Sequence, residues 1–170
     1  MKDLTLVVPA KNETECLPKV LDEIKNLECE IMVVLEREDL LTQQAIKNYS
    51  CKIVFQNNKG YGDAIITGFN QVKTKYSCIY NADGSFDPKY LNEMLKLCGG
   101  KDYIFGSRYL DGAGSDDDTI LTRIGNFVFS KLGNILFSVN LTDILYTYIL
   151  GKTESFKSLK LKYNDFCLCV

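Results

Sequence analysis

The stretch Tyr80-Asn-Ala-Asp-Gly-Ser-Phe-Asp-Pro88 follows a short apolar run and sets two carboxylates, Asp83 and Asp87, in what reads as a loop. A carboxylate at a strand end can hold a divalent cation by its oxygens. Mg²⁺ or Mn²⁺ needs only one or two such ligands when phosphates and water complete the octahedron. Strand alternation turns Asn81 to the same side as Asp83, where its amide could bond a phosphate or a ribose. Ser85 lies one further step along. Asp87, directly before Pro88, reads more simply as a helix cap with proline at the first helical position. The residues of this loop alone leave two readings open, a metal site or a turn that starts a helix.

Similar polar signatures follow the other apolar runs. Pro9-Ala-Lys11-Asn-Glu13 could grip a nucleotide or start a helix, and Glu36 is placed to bond a base or a ribose. Lys59, Gly60 and Gly62 precede a helical pattern, and glycines there let a backbone approach an anion closely. Arg108 could neutralise a phosphate or pair with an acid. The glycine spacing is not GxGxxG, and no GxxxxGK[ST] occurs, which disfavours a dinucleotide fold and excludes a P-loop. "NADGS" differs at one place from the Asp-x-Asp-Gly-Ser/Thr string of haloacid-dehalogenase-like phosphatases. That place is the nucleophile, and an amide cannot form an aspartyl-phosphate.

The elements that must position these residues alternate. Apolar runs at 4–10, 30–36, 52–57, 76–83 and 102–108 are continuous and rich in Val, Ile, Tyr and Phe, as in strands buried on both faces. Between them, Leu17, Leu21, Ile24 and Leu27 keep a helical period, as do Ala64, Ile65, Gly68, Phe69 and Val72, and then Leu91, Met94, Leu95 and Cys98. Residues 38–49 form a weaker fourth helix. This alternation predicts an α/β layered domain with a mostly parallel sheet, whose ligands bind at the carboxyl ends of the strands. Five strand ends with polar or glycine-rich signatures together describe a nucleotide-diphosphate pocket.

Composition narrows the class. A chain of 170 residues suits one domain, and 20 basic against 22 acidic residues give no field for nucleic acid. Histidine is absent, which removes imidazole bases and histidine-ligated zinc. Seven cysteines without a CxxC pair read as free thiols in a reducing cytoplasm. The N-terminal apolar run is too short for a signal peptide. No uncharged apolar stretch approaches the roughly 18 residues of a membrane span.

The last third differs. Residues 119–150 carry only Arg123, Lys131 and Asp143 as charges, and Ile120, Ile124, Phe127, Val128, Ile135, Leu136 and Val139 keep a helical period. Core packing is the simpler expectation for this face. A helix on a membrane surface or against a partner is the other, and exposed apolar surface there would favour a homodimer. The final Phe166-Cys-Leu-Cys-Val170 reads as a strand reaching the last residue, which suggests that more chain once followed.

"VVPAKNE", "NKGYGDAIITGF", "NADGSFDP" and "GSRY", in this order and spacing, resemble the family 2 glycosyltransferases. The likeness covers residues 4 to 150 and points to the branch with dolichol-phosphate mannosyltransferase and its bacterial polyprenyl-phosphate relatives. It implies a GT-A fold in a single domain, with residues 1–110 as the nucleotide-sugar half and 111–170 as a shortened acceptor side. It implies an inverting transfer from a nucleotide-diphosphate sugar to a lipid-phosphate or saccharide acceptor, helped by Mg²⁺ or Mn²⁺, in the cytoplasm or at the cytoplasmic face of a membrane. By position, Pro9, Lys11 and Glu13 would line the nucleotide pocket, with Glu36 near the base or ribose. Asn81, Ala82 and Asp83 fall on the Asp-x-Asp motif, with Asp83 and Ser85 as metal contacts. Arg108 would face the diphosphate, and Asp143 would act as base or position the acceptor. Three departures stand out. Asn81 replaces the first motif Asp, Lys11 replaces the usual tyrosine, and Tyr146-Thr-Tyr148 replaces a Gly-Phe-Arg element. They leave a second reading, a degenerate module that binds a nucleotide sugar or a partner without transfer.

Overall fold

The computed structural model describes residues 1–110, 113–114 and 119–169. Strands β1 (Leu4–Pro9), β2 (Glu30–Leu35), β3 (Lys52–Phe55), β4 (Tyr76–Ile79) and β5 (Tyr103–Phe105) fall within the five predicted runs, each ending earlier than its run. Helices α1 (Cys16–Ile24), α2 (Leu40–Ile46), α3 (Tyr61–Gln71) and α4 (Leu91–Leu97) lie between them. The sheet has the order β3-β2-β1-β4-β6-β5, where β6 is Ile149–Lys152. Strands β1 to β4 pair in parallel, whereas β6 runs antiparallel to both β4 and β5. The sheet is therefore mostly parallel, with one strand that the sequence pattern did not announce.

β1 is buried along its whole length, which is why its sequence is continuously apolar. Its alternate residues serve two cores. Leu4, Leu6 and Val8 pack with Leu17, Val20, Leu21 and Ile24 of α1 and with Leu91 and Met94 of α4. Val7 packs with Ala64, Ile65 and Phe69 of α3 and with Phe156 of α6 (Thr153–Ser158) on the opposite face. Each of these buried aliphatic side chains contributes about 1.5–3 kcal/mol of transfer free energy. Gly68 is fixed by this packing, since a Cβ there would collide with Val7 Cγ1.

Two expectations are corrected. Residues Phe166–Cys169 form a short 3-10 turn rather than a strand, and Val170 lies outside the described residues. The long helix α5 (Ile120–Phe137) does not pack its apolar period into the core. It docks through small and polar residues instead. Asn126 Nδ2 donates to Tyr109 Oη at 2.6 Å, and Ser130 Oγ accepts from the Ile144 N–H at 3.2 Å. Gly133 lies against Ile144, and the Asn134 amide pairs with both the N–H and the carbonyl of Leu141 at 2.9 Å. The opposite side leaves Ile124, Phe127, Val128 and Ile135 exposed. The helix thus presents its apolar face outward, the reverse of an ordinary surface helix.

Candidate active site

In a sheet ordered 3-2-1-4, successive crossovers run to opposite sides of β1, so a crevice opens between the carboxyl ends of β1 and β4. A cleft of about 670 Å³ occupies that place. Pro9, Lys11 and Glu13 enter from β1, Glu36 from β2, Gly60 from the start of α3, and Asn81 and Asp83 from the end of β4. Seven of the residues predicted from separate strand ends therefore line one cavity.

Local chemistry sets each one. The chain turns after β1 at Asn12, which has φ 58°, and the Asn12 N–H donates to Asp39 Oδ2 at 2.7 Å. Asp39 also caps α2 by accepting from the Thr42 N–H, and the Thr42 hydroxyl accepts from the Glu13 N–H at 3.0 Å. Burial pushes the Asp39 carboxyl up. The bonds from Asn12 and Thr42 and the charge of Lys11 outweigh it and hold the group below the usual range. Lys11 Nζ reaches Glu36 Oε1 at 2.8 Å, so a cation and a carboxylate meet on the cleft wall. The Glu13 carboxyl is pushed up by burial first and then by Asp83 and Asp39, which shows that these acids share one field.

β4 ends at Ile79, and the chain then alternates sides. Asn81 and Asp83 line the cleft, while Ala82 is buried in the core between them. The turn at Gly84 (φ 83°) lets the Ser85 N–H donate to Asp83 Oδ1 at 2.9 Å, and Asn81 Nδ2 donates to Ser85 Oγ at 3.2 Å. Tyr61 Oη donates to Asn81 Oδ1 at 3.2 Å, tying α3 to this loop across the crevice. Asp87 is the expected cap, accepting from the Lys89 N–H at 2.9 Å.

Besides core-facing Ala82, four predicted site residues do not line the cleft: Ser85, Lys59, Arg108 and Asp143. Lys59 is exposed and does not line the cleft. Its loop is drawn inward by buried Asp63, which accepts from the Asn57 and Asn58 N–H groups at 3.0 Å and from Asn58 Nδ2 at 2.8 Å. Arg108 and Asp143 form a bidentate pair, Nε to Oδ2 at 2.8 Å and Nη2 to Oδ1 at 3.0 Å. Arg108 lines a second cleft of about 320 Å³, together with Met94, Leu97, Phe105 and Leu110. The Asp143 side chain is fully buried and both its oxygens are engaged, so this geometry makes it a support for Arg108.

The two clefts share a wall. Along residues 145–148, Leu145 and Thr147 line the first and Tyr146 and Tyr148 line the second. The Tyr146 ring lies 5.0 Å from the Arg108 guanidinium, and its hydroxyl donates to the Ser85 carbonyl at 3.4 Å. Burial pushes the Tyr146 phenol up to about 12. A Cβ on Gly106 would sit 3.1–3.2 Å from Tyr146 and Tyr148, a tight contact that these residues would have to relieve. The sequence reading passed over Gln56, Tyr61, Leu145, Thr147 and Phe166, which also line the first cleft. Of these only Tyr61 had a visible signal, an aromatic between two glycines at a helix start.

Among the described residues no three His, Cys, Asp or Glu side chains gather into an all-protein metal centre. The Asp83 loop fits the other kind of site. It offers one exposed carboxylate held by a backbone N–H, with the acids Glu13 and Asp39 nearby, and such hard oxygen donors suit Mg²⁺ or Mn²⁺ bridged to phosphates.

A mostly parallel six-stranded sheet flanked by helices, with a crevice at the carboxyl ends of β1 and β4, is the architecture of the GT-A fold. The solved mannosyl-3-phosphoglycerate synthase of Rubrobacter xylanophilus has the same fold, at TM-score 0.70 and 19% identity over 90% of this chain and 54% of that one. So does the glucosyl-3-phosphoglycerate synthase of Mycobacterium tuberculosis solved with Mn²⁺ and UDP-glucose, at TM-score 0.69 and 16% identity over 89% of this chain and 56% of that one. The chain belongs to glycosyl transferase family 2, whose profile matches residues 5–160. Among curated relatives, the undecaprenyl-phosphate mannosyltransferase of Micrococcus luteus is 26% identical over 95% of this chain and 70% of its own length. The chain thus spans little more than half the length of the solved structures it resembles.

Proposed function

We propose that this chain transfers a sugar, with inversion at the anomeric carbon, from a nucleotide-diphosphate sugar in the first cleft to an acceptor in the second. The observation that carries the reading is the meeting of Lys11, Glu36, Asn81 and Asp83 from three strand ends at the β1/β4 crevice. In this reading Pro9, Lys11, Glu13, Glu36, Gly60 and Asn81 hold the nucleotide, the backbone at Ala82 shapes the motif, and Lys59 contributes charge from outside the cleft. The donor side is drawn mainly from residues 9–83, with Leu145, Thr147 and Phe166 added from the last third, and the acceptor side from residues 90–114 with Tyr146 and Tyr148. Asp83, with Ser85, would hold Mg²⁺ or Mn²⁺, and the ion would supply positive charge to the leaving diphosphate. The Mn²⁺ and UDP-glucose in the mycobacterial structure support this assignment.

The second cleft favours an anionic, lipid-like acceptor. A hydroxyl acceptor needs a carboxylate base, and both Asp143 oxygens are already engaged by Arg108. A phosphate is already an anion and needs only positioning. Arg108, fixed by Asp143 among Met94, Leu97 and Phe105, offers a cation in apolar surroundings. The Micrococcus relative, an undecaprenyl-phosphate mannosyltransferase, supports a lipid phosphate. α5 would then rest on the cytoplasmic face of a membrane through its outward apolar side, since the helix carries Arg123 and Lys131 and no acid. No described helix is long and apolar enough to cross a membrane. One observation favours binding without transfer. Asn81 supplies an amide where a second carboxylate would bind metal, and that amide already bonds Tyr61 and Ser85.

The test is a thermal-shift series with UDP, GDP, CDP and their sugar conjugates, with and without Mn²⁺. A nucleotide at about 100 times its Kd should stabilise the protein by about 2.7 kcal/mol, a rise of roughly 5–10 °C in Tm. Asp83→Ala should abolish the metal-dependent part, and radiolabelled transfer to a polyprenyl phosphate should follow the same donor. No shift with any nucleotide, or an undiminished shift in Asp83→Ala, overturns the assignment.

A further inference from the structure

We infer that the C-terminal segment completes the donor cleft, with Phe166 as a stacking wall for a nucleobase. This rests on the donor reading above and adds a residue outside the strand ends. The segment has a built seat. A Cβ on Gly60 would collide with the Asn164 carbonyl and one on Gly62 with the Tyr163 carbonyl, so both glycines leave room for this backbone. The Asp63 N–H, in the first turn of α3, donates to the Asn164 carbonyl at 3.0 Å. The Asp165 carboxylate accepts from the Cys167 N–H at 3.0 Å, and Leu168 packs against the core formed by Val7, Met32 and α3.

This seat delivers Phe166 to the cleft. Its ring stacks on Tyr61 with centroids 5.0 Å apart and planes 11° from parallel, yet the residue remains 71% exposed. Tyr61 is itself held by Asn81, so the stack is braced from the β4 side. Around it the cleft offers the Gln56 amide, the Glu36 carboxylate and the Lys11 ammonium. A flat apolar face beside hydrogen-bonding side chains is the chemistry of a purine or pyrimidine, which has a π-face and a polar edge.

The chain contains no tryptophan, so Phe166→Trp places a single indole reporter at the wall. Titration with UDP and with GDP in Mn²⁺ should quench its emission, with the midpoint at the Kd that calorimetry gives for the same variant. Phe166→Ala should weaken nucleotide binding by about 5- to 100-fold. Phe166→Leu should stay close to the alanine variant, since bulk without a ring does not stack. Wild-type binding with equal affinity in Phe166→Ala and a silent Phe166→Trp overturns this inference and leaves the donor reading standing. Full affinity in Phe166→Leu also overturns it. If wild type binds none of UDP, GDP and CDP by calorimetry, both fall.

Discussion

Arg108 and Asp143 meet in a two-pronged ion pair, and the Arg108 backbone N–H adds a third bond to Asp143 Oδ2 at 3.2 Å. One carboxylate therefore fixes the guanidinium and the backbone that carries it. Burying such a pair brings little net stability, because desolvation offsets the attraction, but removing one partner strands the other. Asp143→Ala should destabilise the fold by about 3 kcal/mol, lowering Tm by roughly 6–12 °C. Arg108→Lys should lose acceptor affinity too, since an ammonium cannot reproduce the fork. Urea unfolding and acceptor KM measure the two effects. An Asp143→Ala variant with wild-type stability would contradict the burial described.

Glu13 yields a pH prediction for the metal-free protein. Its folded pKa stands above its unfolded one, so the folded state binds more protons across the interval between them. Stability falls as pH rises through that interval, and above it the ionised group is a constant penalty. Glu13→Gln should raise Tm at pH 7, with the advantage vanishing below the unfolded glutamate value. The same variant should bind Mn²⁺ and nucleotide more weakly. Melting curves over a pH series decide it, and a gain that persists at acid pH would assign the effect to another cause.

The outward face of α5 predicts binding to anionic lipid. Ile124→Glu, Phe127→Glu and Ile135→Glu alter residues that are 56%, 61% and 76% exposed, so helicity should be unchanged. Wild type should co-sediment with phosphatidylglycerol vesicles and less with phosphatidylcholine, and the triple variant with neither. Absence of vesicle binding in a wild type that sediments as a dimer would mean that the face covers a second copy instead.

Much of the sheet was legible because β1 and β2 are buried on both faces and so cannot alternate. The cleft was legible for a related reason, since parallel strands bring their carboxyl ends to one edge. β6 was not, because Ile149–Lys152 continues an apolar stretch that a long helix begins, and composition alone does not mark where the period breaks. The orientation of α5 was misread for a different cause. Burial there follows the specific partners of Asn126, Ser130 and Asn134 rather than hydrophobicity. Phe166 was invisible because its seat consists of two glycines more than a hundred residues earlier.

The placement of β6 bears on how the chain is made. Among the described strands β5 pairs with β6 alone, and β6 is synthesised more than forty residues after it. Until residue 152 leaves the ribosome, β4 is an open edge and β5 has no neighbour to pair with. The β3-β2-β1-β4 half can assemble during translation, whereas closure waits on a contact of long sequence separation, the slow kind. A nascent chain stalled before Ile149 therefore exposes a bare strand edge, a template for pairing with another chain.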